Sequence, residues 1–290
     1  MTRERARDWQ DRFDAFAARK SRAAVGAELS PFVTVDDSLA SGSAEIGNAW
    51  SRRLFDGPFY LSPAADNRRP ATSLVFVQSA DGNTGADDPA ALGSGATDTH
   101  LIYEGLSRVA ADAVLAGAGT IRGADLVFSV WHPEMVALRA ALGFPRHPAQ
   151  IVATNRGLNL DGELLFNLPS IRVVLLTGAP PSGDTMDALG ARPWITHLPV
   201  HDGDFRETFE RLREIGIERV SCVGGRTLAR ALLESGLVDD VYLTTAPVTG
   251  GEPGTPIASW AWRGPTILKK HGTRGESGVT FEQITPASVR

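Results

Sequence analysis

Two short stretches of this 290-residue chain carry residue types suited to holding an anion. The first is Gly117-Ala118-Gly119-Thr120, which follows the apolar run 113–116. Glycines one residue apart let a backbone turn sharply and leave no Cβ between it and a ligand. A helical turn opening at Thr120 and Ile121 aims free N–H groups and the positive end of its dipole at whatever lies beyond the strand. That is the chemistry of a phosphate site. The second stretch is Val223-Gly224-Gly225-Arg226-Thr227-Leu228, where Arg226 adds a fixed positive charge. Two such turns at the carboxyl ends of parallel strands can cradle both phosphates of a dinucleotide. Each alone also fits an ordinary strand-to-helix turn, and neither has the Gly-x-Gly-x-x-Gly spacing of a Rossmann domain.

Asp81 and Asp98 are the acids placed to move a proton. Asp81 lies in the turn-forming sequence Ser79-Ala-Asp-Gly-Asn83, and Asp98 follows Thr97 at the head of an amphipathic run. The same positions suit a turn aspartate bonded to its own backbone and a helix cap. Ser79, Asn83, Thr97 and His100 are the polar neighbours of these acids.

The elements that must position these groups follow from the patterning. Runs at 73–78, 113–116, 150–154, 171–177, 194–198, 219–223 and 240–246 read as strands. Helices are expected from Thr97 or Asp98 to 110, from Pro133, over 204–215 and over 227–235. Asp204-Phe-Arg-Glu207 reads as a capping box. Runs 267–271 and 279–284 form a closing hairpin. Strands alternating with helices predict an α/β fold: a mainly parallel sheet covered on both faces, with antiparallel strands at the end. Residues 1–69 follow a different pattern. A helix over 5–24 brings Trp9, Phe13 and Phe16 near one face, and an irregular arm follows, punctuated by Pro, Gly and Ser. Trp50, Phe55, Phe59 and Tyr60 in that arm predict that it packs onto something. The chain therefore divides into an N-terminal helix and arm, 1–69, and a domain spanning 70–290.

The totals narrow the function classes. A net charge of −5 with no block of like charge argues against a nucleic-acid surface. The single cysteine, Cys222, excludes an internal disulfide and suits a reducing cytoplasm. The N-terminus lacks the apolar core of a signal peptide, and no apolar run is long enough to cross a bilayer. Residues before 70 carry no His/Cys zinc pattern, and no metal is expected in the chain.

Five motifs occur in register: Ser79-Ala-Asp-Gly82, Arg108-Val-Ala-Ala-Asp-Ala-Val-Leu-Ala-Gly-Ala-Gly-Thr-Ile-Arg122, Val223-Gly-Gly-Arg-Thr-Leu228, Gly236-Leu-Val-Asp-Asp-Val241 and Ala246-Pro-Val-Thr-Gly-Gly251. Together they resemble the reductase domain of the riboflavin-biosynthesis bifunctional deaminase–reductase, within the dihydrofolate reductase-like superfamily. The resemblance runs from residue 70 to about 285. It implies a homodimer, NADPH as hydride donor and a pyrimidine-ribosylamine phosphate as substrate. By position it places the pyrophosphate on Gly117, Gly119, Thr120 and Ile121 and on Gly224, Gly225, Arg226, Thr227 and Leu228. It places the adenosine 2′-phosphate near Thr154, Asn155 and Arg156, with Thr177 and Gly178 at the adenine edge. It further implies a cis peptide joining Gly224 to Gly225.

The substrate half departs from the family pattern. Val75 stands where a lysine is usual, Asn83 where a lysine follows Asp-Gly, and Val223 where a glutamate precedes Gly-Gly. The stretch ending in Trp131 replaces one that usually holds aspartates and an arginine. The resemblance therefore implies an NADPH-dependent reductase of a small heterocycle with an altered substrate site. Two other readings stay open: a dihydrofolate or pterin reductase, and a non-catalytic subunit that binds NADPH or a nucleotide.

Overall fold

The computed structural model describes residues 3–37, 43–84, 92, 94–123, 125–255, 267–274 and 278–286. Its strands are β1 (Val33–Asp36), β2 (Ala44–Ile46), β3 (Phe59–Leu61), β4 (Ala71–Gln78), β5 (Ala113–Gly117), β6 (Ala149–Thr154), β7 (Val173–Thr177), β8 (Ile195–Pro199), β9 (Arg219–Gly224), β10 (Asp240–Thr245), β11 (Ile267–Arg274) and β12 (Val279–Thr285). All but β2 and β3 join one ten-stranded sheet in the order β1-β11-β12-β10-β4-β9-β5-β6-β7-β8. From β10 to β8 the pairing is parallel throughout, while β12, β11 and β1 are added antiparallel. The expected mainly parallel sheet with an antiparallel hairpin is present.

Side chains alternate across the sheet because successive Cβ atoms point to opposite faces. Leu74, Leu115 and Cys222 meet Phe209, Leu212, Leu228 and Leu232 of the Arg206–Glu214 and Arg226–Glu234 helices. Burial pushes the Cys222 thiol up to about 12, so it is inert packing. Val75, Val114, Ala116 and Val223 face the other side, toward the helical stretch 95–109 and the Pro133–Ala141 helix. That stretch takes wide, i→i+5 turns over Asp98–Leu106. Gly105 lies within them where a Cβ would come 2.8 Å from the His100 carbonyl oxygen, which explains the glycine.

The N-terminal segment packs into this second core. Its helix, Arg3–Gly26, sets Phe16 edge-on to Trp131 and Phe13 edge-on to His147, each at 5.4 Å. Phe59 reaches Tyr242 at 5.0 Å, and Phe32 lies 5.9 Å from Phe55. Strand β1 extends the main sheet, and the Asp56 carboxylate accepts from the Thr34 N–H at 2.7 Å. A side chain on an edge N–H blocks further strand pairing there.

Two expected helix starts are corrected. Asp204 accepts from Arg206 N at 2.9 Å, but no capping box forms, because the helix begins at Arg206 after Phe205. Asp98 is no N-cap either: the helical stretch opens at Gly95, which places Asp98 in its interior. Tertiary packing moved both starts, since local cap propensity is worth only about 1 kcal/mol.

His147 supplies a pH prediction. Burial, reinforced by Arg146 and Arg139, lowers it to about 4, and its Nδ1 lies 2.8 Å from Ser129 Oγ. A histidine with a depressed folded pKa binds fewer protons folded than unfolded. Its cost is absent above the unfolded value near 6.5 and grows as pH falls toward 4. Unfolding free energy should fall across that window, by about 1–2 kcal/mol once solvent screening is allowed for. Denaturant titrations of the wild type and His147→Phe should diverge below pH 6.5 in that sense. Parallel curves would show that His147 is not the titrating group.

Candidate active site

The two glycine turns lie side by side because β5 and β9 are sheet neighbours, with the register shifting after Leu115. A Cβ on Gly224 would come 3.3 Å from Thr120 Oγ1, and one on Gly225 would lie 4.0 Å from Gly117 Cα. Gly225 has φ +87°, a left-handed value that disfavours any side chain. The expected cis peptide is corrected: no cis bond occurs among the described residues. A glycine free to adopt positive φ makes the turn at one residue, so the trans bond suffices. The start of the Arg226–Glu234 helix still faces the end of β5. Gly119, Thr120 and Thr227 are exposed there, while Ile121 and Leu228 turn into the core. The Arg226 guanidinium is paired with Glu252, at 2.6 Å.

Beyond the ends of β6 and β7 lies a cleft of roughly 240 Å³. Thr154, Asn155, Arg156 and Thr177 line it, with Leu158, Pro180 and Pro181 as apolar walls. Thr154 Oγ1 accepts from Arg156 N at 3.1 Å and donates to the Arg156 carbonyl, which fixes the loop and leaves the arginine exposed. Gly178 abuts the Asn155 side chain, and any Cβ there would collide with it. Thr177 Oγ1 hydrogen bonds with His197 Nε2 at 2.9 Å, and burial lowers the His197 pKa. Ser182 caps the Gly183–Gly190 helix at the cleft's rim.

The acids lie apart from that cleft. Asp81 accepts from the Ser79 hydroxyl at 2.5 Å, from Asn83 Nδ2 at 3.0 Å and from Gly250 N at 3.3 Å. The Ser79 bond, with help from its other donors, holds its carboxyl below the usual range. Those bonds favour the ionised form of Asp81. Asn83 ties the same loop to Gly250 O and Thr255 N, each at 3.3 Å. Asp98 is buried and accepts from the Thr244 hydroxyl. Thr97 accepts from Ser30 N at 2.9 Å and donates to Ser30 O at 3.1 Å, so its hydroxyl anchors the arm. Val75 and Val223 are buried in the sheet core. The geometry thus gathers Ser79, Asp81 and Asn83 into one network and leaves Asp98, Thr97, Val75 and Val223 outside it.

A buried charged cluster under the N-terminal helix has little trace in the sequence reading. Glu104 accepts from Lys20 Nζ at 2.5 Å and pairs with His100 Nδ1 at 3.1 Å. Burial raises its carboxyl, but His100, Lys20 and Arg108 outweigh that and hold it low. Arg108 lies between the rings of Tyr103, at 4.1 Å, and Phe128, at 5.3 Å. Its Nη1 donates to Ser129 O, while among the described residues Nε and Nη2 have no hydrogen-bond partner. The four-residue spacing of 100, 104 and 108 was a legible signal for one helix face. Lys20 had none, because it arrives from 84 residues away. Among the described residues no His/Cys/Asp/Glu group could hold a metal ion, and no helix is long and apolar enough to cross a membrane.

Against known proteins, the RibD C-terminal domain model matches residues 70–269. The 2,5-diamino-6-ribosylamino-4(3H)-pyrimidinone 5′-phosphate reductase of Methanothermobacter thermautotrophicus is 26% identical over 184 residues, covering 63% of this chain and 80% of that protein. A pyrimidine reductase-like protein from Corynebacterium diphtheriae has a similar structure: TM-score 0.55, 19% identity, 75% of this chain and 92% of that one. The riboflavin biosynthesis reductase of Saccharomyces cerevisiae gives TM-score 0.52 at 18% identity, covering 77% and 92%. At such identities the structural likeness establishes the shared fold.

Proposed function

The chain belongs to the RibD C-terminal domain family, and from that premise we propose that it is an NADPH-dependent reductase of a small pyrimidine- or pterin-like heterocycle. The observation that carries this is the meeting of the two glycine turns, where a Cβ on Gly224 would crowd Thr120. A bare backbone cradle beside a helix start fits a pyrophosphate. Thr154, Asn155 and Arg156 would hold the 2′-phosphate, since a guanidinium offers a planar fork of donors. Thr177 would lie against the adenine in the neighbouring cleft. Bound there, NADPH supplies a hydride. The chain's part is to orient the acceptor against it and exclude water. A proton must also arrive, from Asp81, Asp98 or an ordered water.

Valine at 75 and 223 and buried Trp131 give the acceptor side few polar groups for a ribityl phosphate, and an apolar site cannot reward a polar one. The riboflavin-pathway phosphate should therefore be a poor substrate. Valine at 75 and 223 and asparagine at 83, in place of the family's charged residues, also favour a second reading, a subunit that binds NADPH without turnover. NADPH fluorescence quenching, followed by NADPH oxidation with a panel of pyrimidine, pterin and flavin-like acceptors, separates the two. Binding with turnover is expected, and binding without turnover across the panel would favour the second. Arg156→Ala should weaken NADPH about tenfold or more and leave NADH nearly unchanged. Equal wild-type affinities for the two cofactors would overturn the role of Arg156. A cytoplasmic homodimer is part of the same proposal, and mass in solution tests its assembly.

A further inference from the structure

Arg226 opens the Arg226–Glu234 helix beside the glycine cradle, yet its guanidinium is engaged by Glu252 at 2.6 Å. Glu252 lies in the loop that follows β10, and that loop is firmly held from the other side. Ala80 N donates to Val248 O at 2.8 Å, and Asn83 Nδ2 donates to Gly250 O at 3.3 Å. Thr84 donates to Thr255 O through both its N–H, at 3.1 Å, and its hydroxyl, at 2.7 Å. The Thr255 hydroxyl donates back to Glu252 O at 2.6 Å. The carboxylate is thus delivered to Arg226 by a braced loop, although the pair itself is partly exposed to solvent.

We propose that Glu252 is a resident counter-anion for Arg226, which the phosphate of a bound dinucleotide must displace. This rests on the dinucleotide reading above. A carboxylate and a phosphate oxygen present the same acceptor chemistry to a guanidinium, so both compete for the Nη2 donor that Glu252 holds. The carboxylate also stands within a few ångströms of any anion that Arg226 holds, and like charges at that range repel even through water. Glu252 therefore lowers affinity for the cofactor and makes its exchange easier. The contact also links the cradle to the Ser79–Asp81–Asn83 loop, because one braced loop touches both.

Glu252→Gln keeps the shape of the side chain and removes its charge. Its Kd for NADPH should fall about three- to tenfold at low ionic strength, with the gain shrinking as salt screens it. In the background of Arg226→Gln the gain should vanish, since the competition needs the guanidinium. An affinity that is unchanged or weaker in Glu252→Gln overturns the proposal, as does a gain that survives without Arg226. Inorganic pyrophosphate, titrated in parallel by calorimetry, separates this from the cofactor reading. Should NADPH bind neither form, that reading fails. Tighter pyrophosphate binding by Glu252→Gln would still support the counter-anion, and its absence would overturn it.

Discussion

Gly225→Val is expected to abolish measurable NADPH binding while leaving the protein folded. Gly225 adopts φ +87°, a conformation that a β-branched residue reaches only at a cost of about 1–3 kcal/mol. Its nearest neighbours, Leu228 Cβ at 3.8 Å and Gly117 Cα at 4.0 Å, leave room for a Cβ, so backbone strain rather than overlap is the difficulty. The turn can relieve that strain by rotating the start of the Arg226–Glu234 helix away from the end of β5. The helix itself stays anchored, because Leu228, Ala229 and Leu232 are buried against the sheet. What is lost is the convergence of the two turns on one anion. Losing that interaction, about 2.7 kcal/mol or more, is a hundredfold or larger loss of affinity. Fluorescence quenching by NADPH and circular dichroism on the same sample test both halves. Undiminished binding would remove the cradle from the site. Gly224→Ala gives a second check, since its Cβ would press on Thr120 Oγ1 at 3.3 Å.

Phe59→Ala should destabilise the whole protein by about 3–5 kcal/mol. Phe59 is 1% exposed and contacts Phe55 at 5.5 Å, Tyr242 at 5.0 Å and Phe281 at 6.4 Å. Two of those partners belong to β10 and β12, so the cavity opens in the main core rather than beneath a detachable leader. Thermal unfolding should shift as one cooperative transition. A passive arm would leave that transition in place. Removing residues 1–65 altogether uncovers Trp131, Tyr242 and Phe281 together and should prevent stable folding.

The parts of this protein legible in its sequence are those fixed by short-range chemistry. Apolar runs of strand length alternating with amphipathic helices forecast the mainly parallel sheet. Gly117, Gly119, Gly224 and Gly225 marked both turns after the strands, and at Gly225 the φ of +87° accounts for the residue type. Thr154 and Thr177 end the neighbouring parallel strands β6 and β7, which sets them side by side, with Asn155 and Arg156 just beyond. The aromatic residues of the arm announced that it packs, since so much apolar surface does not stay in water.

What the chain could not disclose depends on partners distant along it. Asp98 was legible as a cap by composition, yet its place is set by Thr244, 146 residues on. Thr97 reads as a polar site residue until Ser30 takes its hydroxyl. Asp81 reads as a free acid until Ser79, Asn83 and Gly250 N donate to it. Arg226 looks free for phosphate until Glu252 reaches it across the following loop. Residue type and spacing determined where strands end and where the backbone can bend. Tertiary structure decided which charged and hydroxyl groups remain available there, because a side chain's proton and its hydrogen bonds depend on neighbours that only folding supplies.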